Sequence, residues 1–357
     1  MSNSTLFLTT TLSILSLCAQ AADLPGVSFP HHDWQLVCDN TRTCRAAGYQ
    51  SEDNDLAVSV LLTREAGPSQ PVIGDLMIGD FEGDDPVNQL LSEFELTMRI
   101  NGQNLGQVLF DQGSREAELS TKQINALLEA LRHTSTIEWG IDGNHWHLSD
   151  KGAAAVLLKM DEFQGRVGTK GALIKKGPLN EAKVLPPLPI PVVIAALLAK
   201  PLPSDNQLAI DNSKALREAL LANIKGDEHD DCSDLEENGA AEAELSVTRL
   251  TNNKMLASAR CWAGAYNAGY GYWVINDAPP YNPVLVTTSG SEYSEGVISA
   301  AHKGRGIGDC WSTDGWTWDG KQFVHTEASS TGMCKLLAPG GAWSLPTIVT
   351  DVRQTPR

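Results

Sequence analysis

Short β-favouring apolar runs, punctuated by Gly, Pro, Asn and Asp, dominate this chain. Up to residue 177 the runs at 34–38, 57–64 and 96–100 read as strands, and Asn101-Gly102 and Asp142-Gly143 supply the positive φ that two-residue hairpin turns need. Two stretches switch to helical spacing. Ile124, Leu127, Leu128 and Leu131 make an apolar stripe on a helix that Ser120 can cap and that is predicted to run through Arg132, with Gln123 completing a capping box. Ser149 is expected to start a second helix over 150–162, with Gly165 as its stop.

The pattern breaks between residues 178 and 206. Pro178, Pro186, Pro187, Pro189, Pro191, Pro201 and Pro203 resist helix and central strand alike, so this segment reads as a semi-rigid connector. Its apolar part, 192–198, is too hydrophobic for a bare linker and is expected to pack on one domain or form a short helix. Beyond it, 213–224 reads as a helix with Leu216, Leu220 and Ile224 on one face. Strands at 245–250, 255–260, 270–275, 284–288 and 297–301 then suggest an antiparallel meander or small sandwich. The hairpin signal at 316–323 echoes 138–146, and a single echo does not establish a duplication. The expected fold is α+β and β-rich: an N-terminal domain over 22–177 with two helices, the connector 178–206, and a C-terminal domain over 207–357, both mainly of antiparallel strands and stapled by disulfides.

Export changes this picture. Residues 1–21 form a short apolar leader ending in Ala19-Gln20-Ala21, which predicts signal-peptide cleavage before Ala22. Two rivals stay open: a lipoprotein signal at Cys18, which Leu17 in front of it fits poorly, and a retained anchor. The other six of the seven cysteines, Cys38, Cys44, Cys232, Cys261, Cys310 and Cys334, follow the leader, and an even set in an oxidising compartment favours structural bridges. Pairing by proximity gives Cys38 with Cys44, Cys232 with Cys261 and Cys310 with Cys334, none crossing the connector. The expected location is periplasmic or secreted. The longest later apolar run, 192–199, has eight residues, whereas a membrane span needs about 20. A net charge of −17 also argues against nucleic acid, since a polyanion binder needs a basic footprint.

Four segments carry a family likeness: Trp34-Gln35-Leu36-Val37-Cys38 with Cys44-Arg45-Ala46, Met160-Asp161-Glu162-Phe163-Gln164-Gly165-Arg166, Cys261-Trp262-Ala263-Gly264-Ala265-Tyr266, and Gly304-Arg305-Gly306-Ile307-Gly308-Asp309-Cys310. In their order they resemble a bacterial secreted six-cysteine family catalogued as domain of unknown function 1176, over nearly the whole exported chain. Trp311 and Lys335-Leu336-Leu337 stand where family members carry glycine. The first half also resembles the invasion-associated locus B proteins, through its leading Trp-x-x-x-Cys strand and the Gly152-Ala153-Ala154-Ala155-Val156 helix. The resemblance implies an envelope location and no established chemistry.

Candidate chemistry is sparse. His145 and His147 share a strand face, a spacing that can bind zinc, but a third ligand is needed and a surface or packed pair is preferred. His31-His32 reads as a mobile terminal pair. The acidic runs 227–237 and 80–85 lack the alternating ligands of a calcium loop and read as solvated. Gly304, Gly306 and Gly308 have the wrong spacing for dinucleotide binding and read as a tight turn. Asp161, Glu162, Gln164 and Arg166 are expected to form a charge-satisfied helix end rather than a catalytic acid site. Tyr266, Tyr270 and Tyr272 share parity and would line one face if a single strand ran through them, a platform for ligand rings. No nucleophile elbow or Ser-x-x-Lys site stands out, and neither cofactor nor metal is expected. The reading is a noncatalytic binding protein for an unknown envelope ligand or protein; a periplasmic hydrolase with an unrecognised site and an assembly or stress-resistance factor are the alternatives, and the oligomeric state is open.

Overall fold

The computed structural model describes residues 26–54, 56–79, 92–205, 207, 213–224, 232–236 and 244–355. The leader with Cys18 and Ala22, the acidic run 80–85 and most of 227–237 lie outside them. Among the described residues no helix is long and apolar enough to cross a membrane.

The first half is one ten-stranded sheet in which every pairing is antiparallel. In chain order it contains β1 (Val27–His31), β2 (Trp34–Cys38), β3 (Cys44–Tyr49), β4 (Val58–Arg64), β5 (Val72–Ile78), β6 (Glu93–Ile100), β7 (Gln103–Asp111), β8 (Glu116–Glu118), β9 (Ile137–Ile141) and β10 (Asn144–Leu148). In space the order is β1-β2-β3-β4-β5-β8-β7-β6-β9-β10. Asn101-Gly102 and Asp142-Gly143 make the two expected turns with all four φ angles positive. The sheet curls back on itself: the Ser149 amide, just past β10, donates to the Tyr49 carbonyl at 3.0 Å, and the Trp34 indole donates to the Ser149 carbonyl at 2.7 Å.

Helices α1 (Thr121–Ala130) and α2 (Ala153–Phe163) pack on one face of the sheet. Ser120 and Gln123 form the full capping box, as the spacing requires. The start of α2 differs from expectation by three residues. Gly152 caps it at φ 97, and a Cβ there would lie 1.9 Å from the His31 carbonyl oxygen, so only glycine lets α2 approach β1. The Ser149 hydroxyl is drawn instead to Asp33 at 2.7 Å.

Downstream, α3 (Ser213–Leu221) buries Leu216 and Leu220 against a four-stranded sheet of β12 (Ser246–Arg249), β13 (Lys254–Ala263), β14 (Ala268–Asn276) and β15 (Val284–Gly290). A five-stranded meander follows: β16 (Glu292–Ser294), β17 (Val297–Lys303), β18 (Trp311–Trp318), β19 (Phe323–Ser330) and β20 (Leu345–Ile348). The connector is not bare. Its strand β11 (Val192–Ala195) pairs in parallel with the C-terminal β21 (Asp351–Gln354), while Ala196 and Leu198 pack beside Tyr272 and Ile298. Among the described residues three disulfides are present, Cys38–Cys44, Cys232–Cys261 and Cys310–Cys334. The two halves also share a cluster, in which Leu337, Trp343 and Leu345 cover Val37, Ala47, Tyr49 and Met77 on the face of the first sheet away from its helices.

Candidate functional site

The segment 163–180 carries Arg166, Lys170, Lys175 and Lys176 and no acidic residue, a local reversal of charge in an acidic chain. It packs between the end of β4 and α1 and encloses a cleft of about 390 Å³ whose walls include Arg64, Glu129, Arg132, Lys170 and Lys176. Arg132 is paired with Glu129 at 2.9 Å, and that hydrogen bond holds the Glu129 carboxyl below the usual range. Lys170 and Lys176 make no salt bridge among the described residues, although the Lys176 charge also helps lower the Glu129 carboxyl on the same wall.

A buried polar network holds this wall in place. Asp161 near the end of α2 is fully buried, and its Oδ2 accepts the amides of Leu173 at 2.7 Å and Ile174 at 3.0 Å. Its Oδ1 has no hydrogen-bond donor and lies 3.8 Å from Arg64. Burial pushes the Asp161 carboxyl up, against the pull of those amides and of Arg64 and Arg166. Gln164 donates to the carbonyls of Arg42 at 3.0 Å and Arg64 at 2.9 Å. Arg166, also fully buried, donates to Gln164 at 2.9 Å, to the Gly67 carbonyl at 2.6 Å and to Glu181 at 3.2 Å. Burial, and then the charge of Arg166, bring the Arg64 guanidinium down to about 10, which leaves it charged at neutral pH. Asp161 does not line the cleft. The Asp-Glu-Phe-Gln-Gly-Arg stretch thus works as a latch from α2 to the loop, with every strongly buried charge given partners, as a dry interior requires.

A second cavity, of about 170 Å³, opens between β15 and the face of β17 and β18, lined by Thr287, Ser289, His302, Ser312, Asp314 and Trp316 among others. His325 hydrogen-bonds Asp314 at 2.9 Å and stacks on Trp316 with centroids 4.8 Å apart. His302 Nε2 is buried without a partner. Ser312 stands opposite His302 in register, yet neither its hydroxyl nor that of Ser289 is hydrogen-bonded to either imidazole, so no nucleophile and base are joined here.

The three tyrosines are divided by the structure. Tyr266 lies in the turn ahead of β14, with its hydroxyl 3.5 Å from the Gly304 carbonyl, because the strand begins only at Ala268. Tyr270 is exposed, while Tyr272 is buried with its ring over Gly290, where a Cβ would come within 2.4 Å of it. The Gly304-Gly306-Gly308 stretch is the turn between β17 and β18, closed by the Gly308 amide on the Arg305 carbonyl at 3.0 Å. Asp309, Cys310 and Cys334 cluster closely enough for a metal, but the two sulfurs are bonded to each other and Asp309 is held by Arg305. Sequence spacing does not mark Lys170, Lys176 or Arg132; the acid-free stretch 163–180 is the signal that points to the two lysines.

The family described as "Protein of unknown function (DUF1176)" matches residues 28–350. The chain belongs to that family. It is also similar to a protein of Escherichia coli (strain K12) described as "Uncharacterized protein YpfG", with 27% identity over 340 residues covering 88% of this chain and 90% of the other. No solved structure matches. The family match spans the Asp161–Arg166 latch, the lysine wall and all six cysteines of the three bridges. The likeness to the invasion-associated locus B proteins is not among these findings.

Proposed function

We propose that this family member is a noncatalytic binding protein of the cell envelope that receives an anionic group, a phosphate or carboxylate of an envelope ligand, in the cleft beside α1. The carrying observation is that Lys170 and Lys176, neither in a salt bridge among the described residues, join Arg64 and Arg132 against the single carboxylate of Glu129 at a concave site in a chain of net charge −17. Arg64 and Arg132 add donors already held in place by their own partners, which lowers the ordering cost of binding. Three disulfides support an oxidising compartment. In this reading the leader is removed before Ala22, the mature protein is periplasmic or secreted, and 178–206 joins two units of one molecule.

Titration calorimetry with inorganic phosphate and with soluble anionic peptidoglycan fragments tests the reading. The native sequence should bind at least one of them, and Lys170→Ala/Lys176→Ala should weaken binding by about tenfold or more, the scale of losing charge-assisted contacts. Equal binding by the double variant would remove the cleft from the account. A hydrolase is the second reading, favoured only by the Asp314–His325 pair beside Ser312; turnover abolished by Asp314→Asn would promote it.

A further inference from the structure

The hairpin β9–β10 carries a second cluster that the anion cleft does not use. Strand alternation sets Glu138, Gly140, His145 and His147 on the outer face, while Trp139 and Trp146 are fully buried on the inner one and lock the register. Glu138 stands directly opposite His147, and its Oε2 lies 3.7 Å from His147 Nδ1 and 3.7 Å from His145 Nδ1. One carboxylate oxygen is therefore equidistant from two imidazole nitrogens.

We propose that Glu138, His145 and His147 form a binding site for a divalent cation of the zinc class. Ligands about 2.1 Å from a tetrahedral ion are about 3.4 Å from each other, so each nitrogen needs to approach the oxygen by a few tenths of an ångström, while the two Nδ1 atoms, more than 4.8 Å apart, must close on each other by more than about 1 Å. The rings are stacked with centroids 6.3 Å apart, and rotation about the two histidine side chains brings their nitrogens together on the ion. Gly140 makes room for this. It is the register partner of His145, and a Cβ at 140 would lie 2.8 Å from His145 Nδ1. The only cation in register with Glu138 is Arg99 on β6, and no ion pair joins the two among the described residues. Two imidazoles and one carboxylate on a rigid hairpin suit a borderline ion, zinc or in its place copper(II) or nickel(II), and leave a fourth position to water. The histidine spacing alone lacked a third ligand. The fold brings it from the neighbouring strand.

The test is a zinc titration of the chelator-stripped full-length exported protein by calorimetry, with His145→Ala/His147→Ala, Glu138→Gln and, as a control for adventitious sites, His31→Ala/His32→Ala. The native sequence should bind one equivalent, the double histidine variant at position 145 and 147 should lose it, and Glu138→Gln should weaken it by about tenfold or more. The control should bind as the native sequence does. Because all three ligands are on the outer face, unchanged thermal melting is expected and separates loss of the site from loss of the fold. No saturable binding by the native protein, or zinc affinity within twofold of native in both Glu138→Gln and the double histidine variant, would overturn the proposal.

Discussion

The indole Nε1 of Trp343 donates to the hydroxyl of Ser59 at 2.7 Å, across 284 positions of chain. Ser59 in turn donates to the Gly48 carbonyl at 2.8 Å, so the tryptophan is tied through β4 to β3. Around it the Tyr49 hydroxyl accepts the Met333 amide at 3.2 Å, and the Lys335 ammonium reaches Asp33 at 3.0 Å. The tail of the second half therefore seals the open face of the first sheet.

Trp343→Ala should lower stability by about 3–5 kcal/mol, the usual loss for a large buried aromatic. Trp343→Phe keeps most of the buried ring and loses mainly the hydrogen bond, with a loss of about 1 kcal/mol. Urea unfolding followed by circular dichroism measures both. An alanine variant within 1 kcal/mol of native would mean that the seam contributes little.

Replacing Cys310 and Cys334 together by serine should lower stability by about 2–5 kcal/mol. Lys335 and Leu337 leave Cys334 directly for the first sheet, so the effect should cross the connector that was expected to separate two cores. Hydrogen exchange reads this: amides of β3 and β4 should exchange faster in the variant. Unchanged protection there would make the two halves independent.

Asp161→Ala should be among the most destabilising single changes, by about 3–5 kcal/mol, because it orphans two buried amides and removes the carboxylate nearest Arg64. Asp161→Asn keeps an acceptor for the amides and should lose less. If both variants melt as the native protein does, the latch does not hold the lysine wall.

Asp205, at the end of the connector, accepts a forked pair of bonds from Arg249, from Nε at 3.0 Å and from the second guanidinium nitrogen at 2.6 Å. That bonding holds the Asp205 carboxyl below the usual range. A depressed folded value gives stability that is complete above the unfolded value of about 3.9 and is lost as pH falls through the folded one. The stability gap between native and Asp205→Asn should thus be constant at neutral pH and close below about pH 4. A gap that widens with acid in urea titrations would reverse this assignment.

Ending the chain after Thr350 removes β21 and leaves the backbone of Val192–Ala195 without its parallel partner. The Val192 and Ile194 side chains of β11 are exposed, and beyond β21 the strand is held at its end, by buried Ala195 and the Ala196 amide on the Trp318 carbonyl. Limited proteolysis with mass mapping should show new cuts at 191–195 in the shortened protein and none there in the full chain. The same cuts in both would show that the pairing does not protect the connector.

Features that depend on a few adjacent residues were legible in the sequence. The Ser120–Gln123 box, the Asn101-Gly102 and Asp142-Gly143 turns and the strands around Trp34, Val58, Met255 and Val297 follow from hydrogen bonds and φ preferences that neighbours in the chain satisfy among themselves. Only the tertiary structure decided where α2 begins, since the demand on Gly152 comes from His31. It also decided that Tyr272 is buried over Gly290, that Lys170, Lys176 and Arg132 line one cleft, and that Glu138 lies close to both His145 and His147. Those relationships depend on which sheet faces meet and how far the first sheet curls. Such outcomes come from many long-range contacts acting together, and no short window of residues contains them.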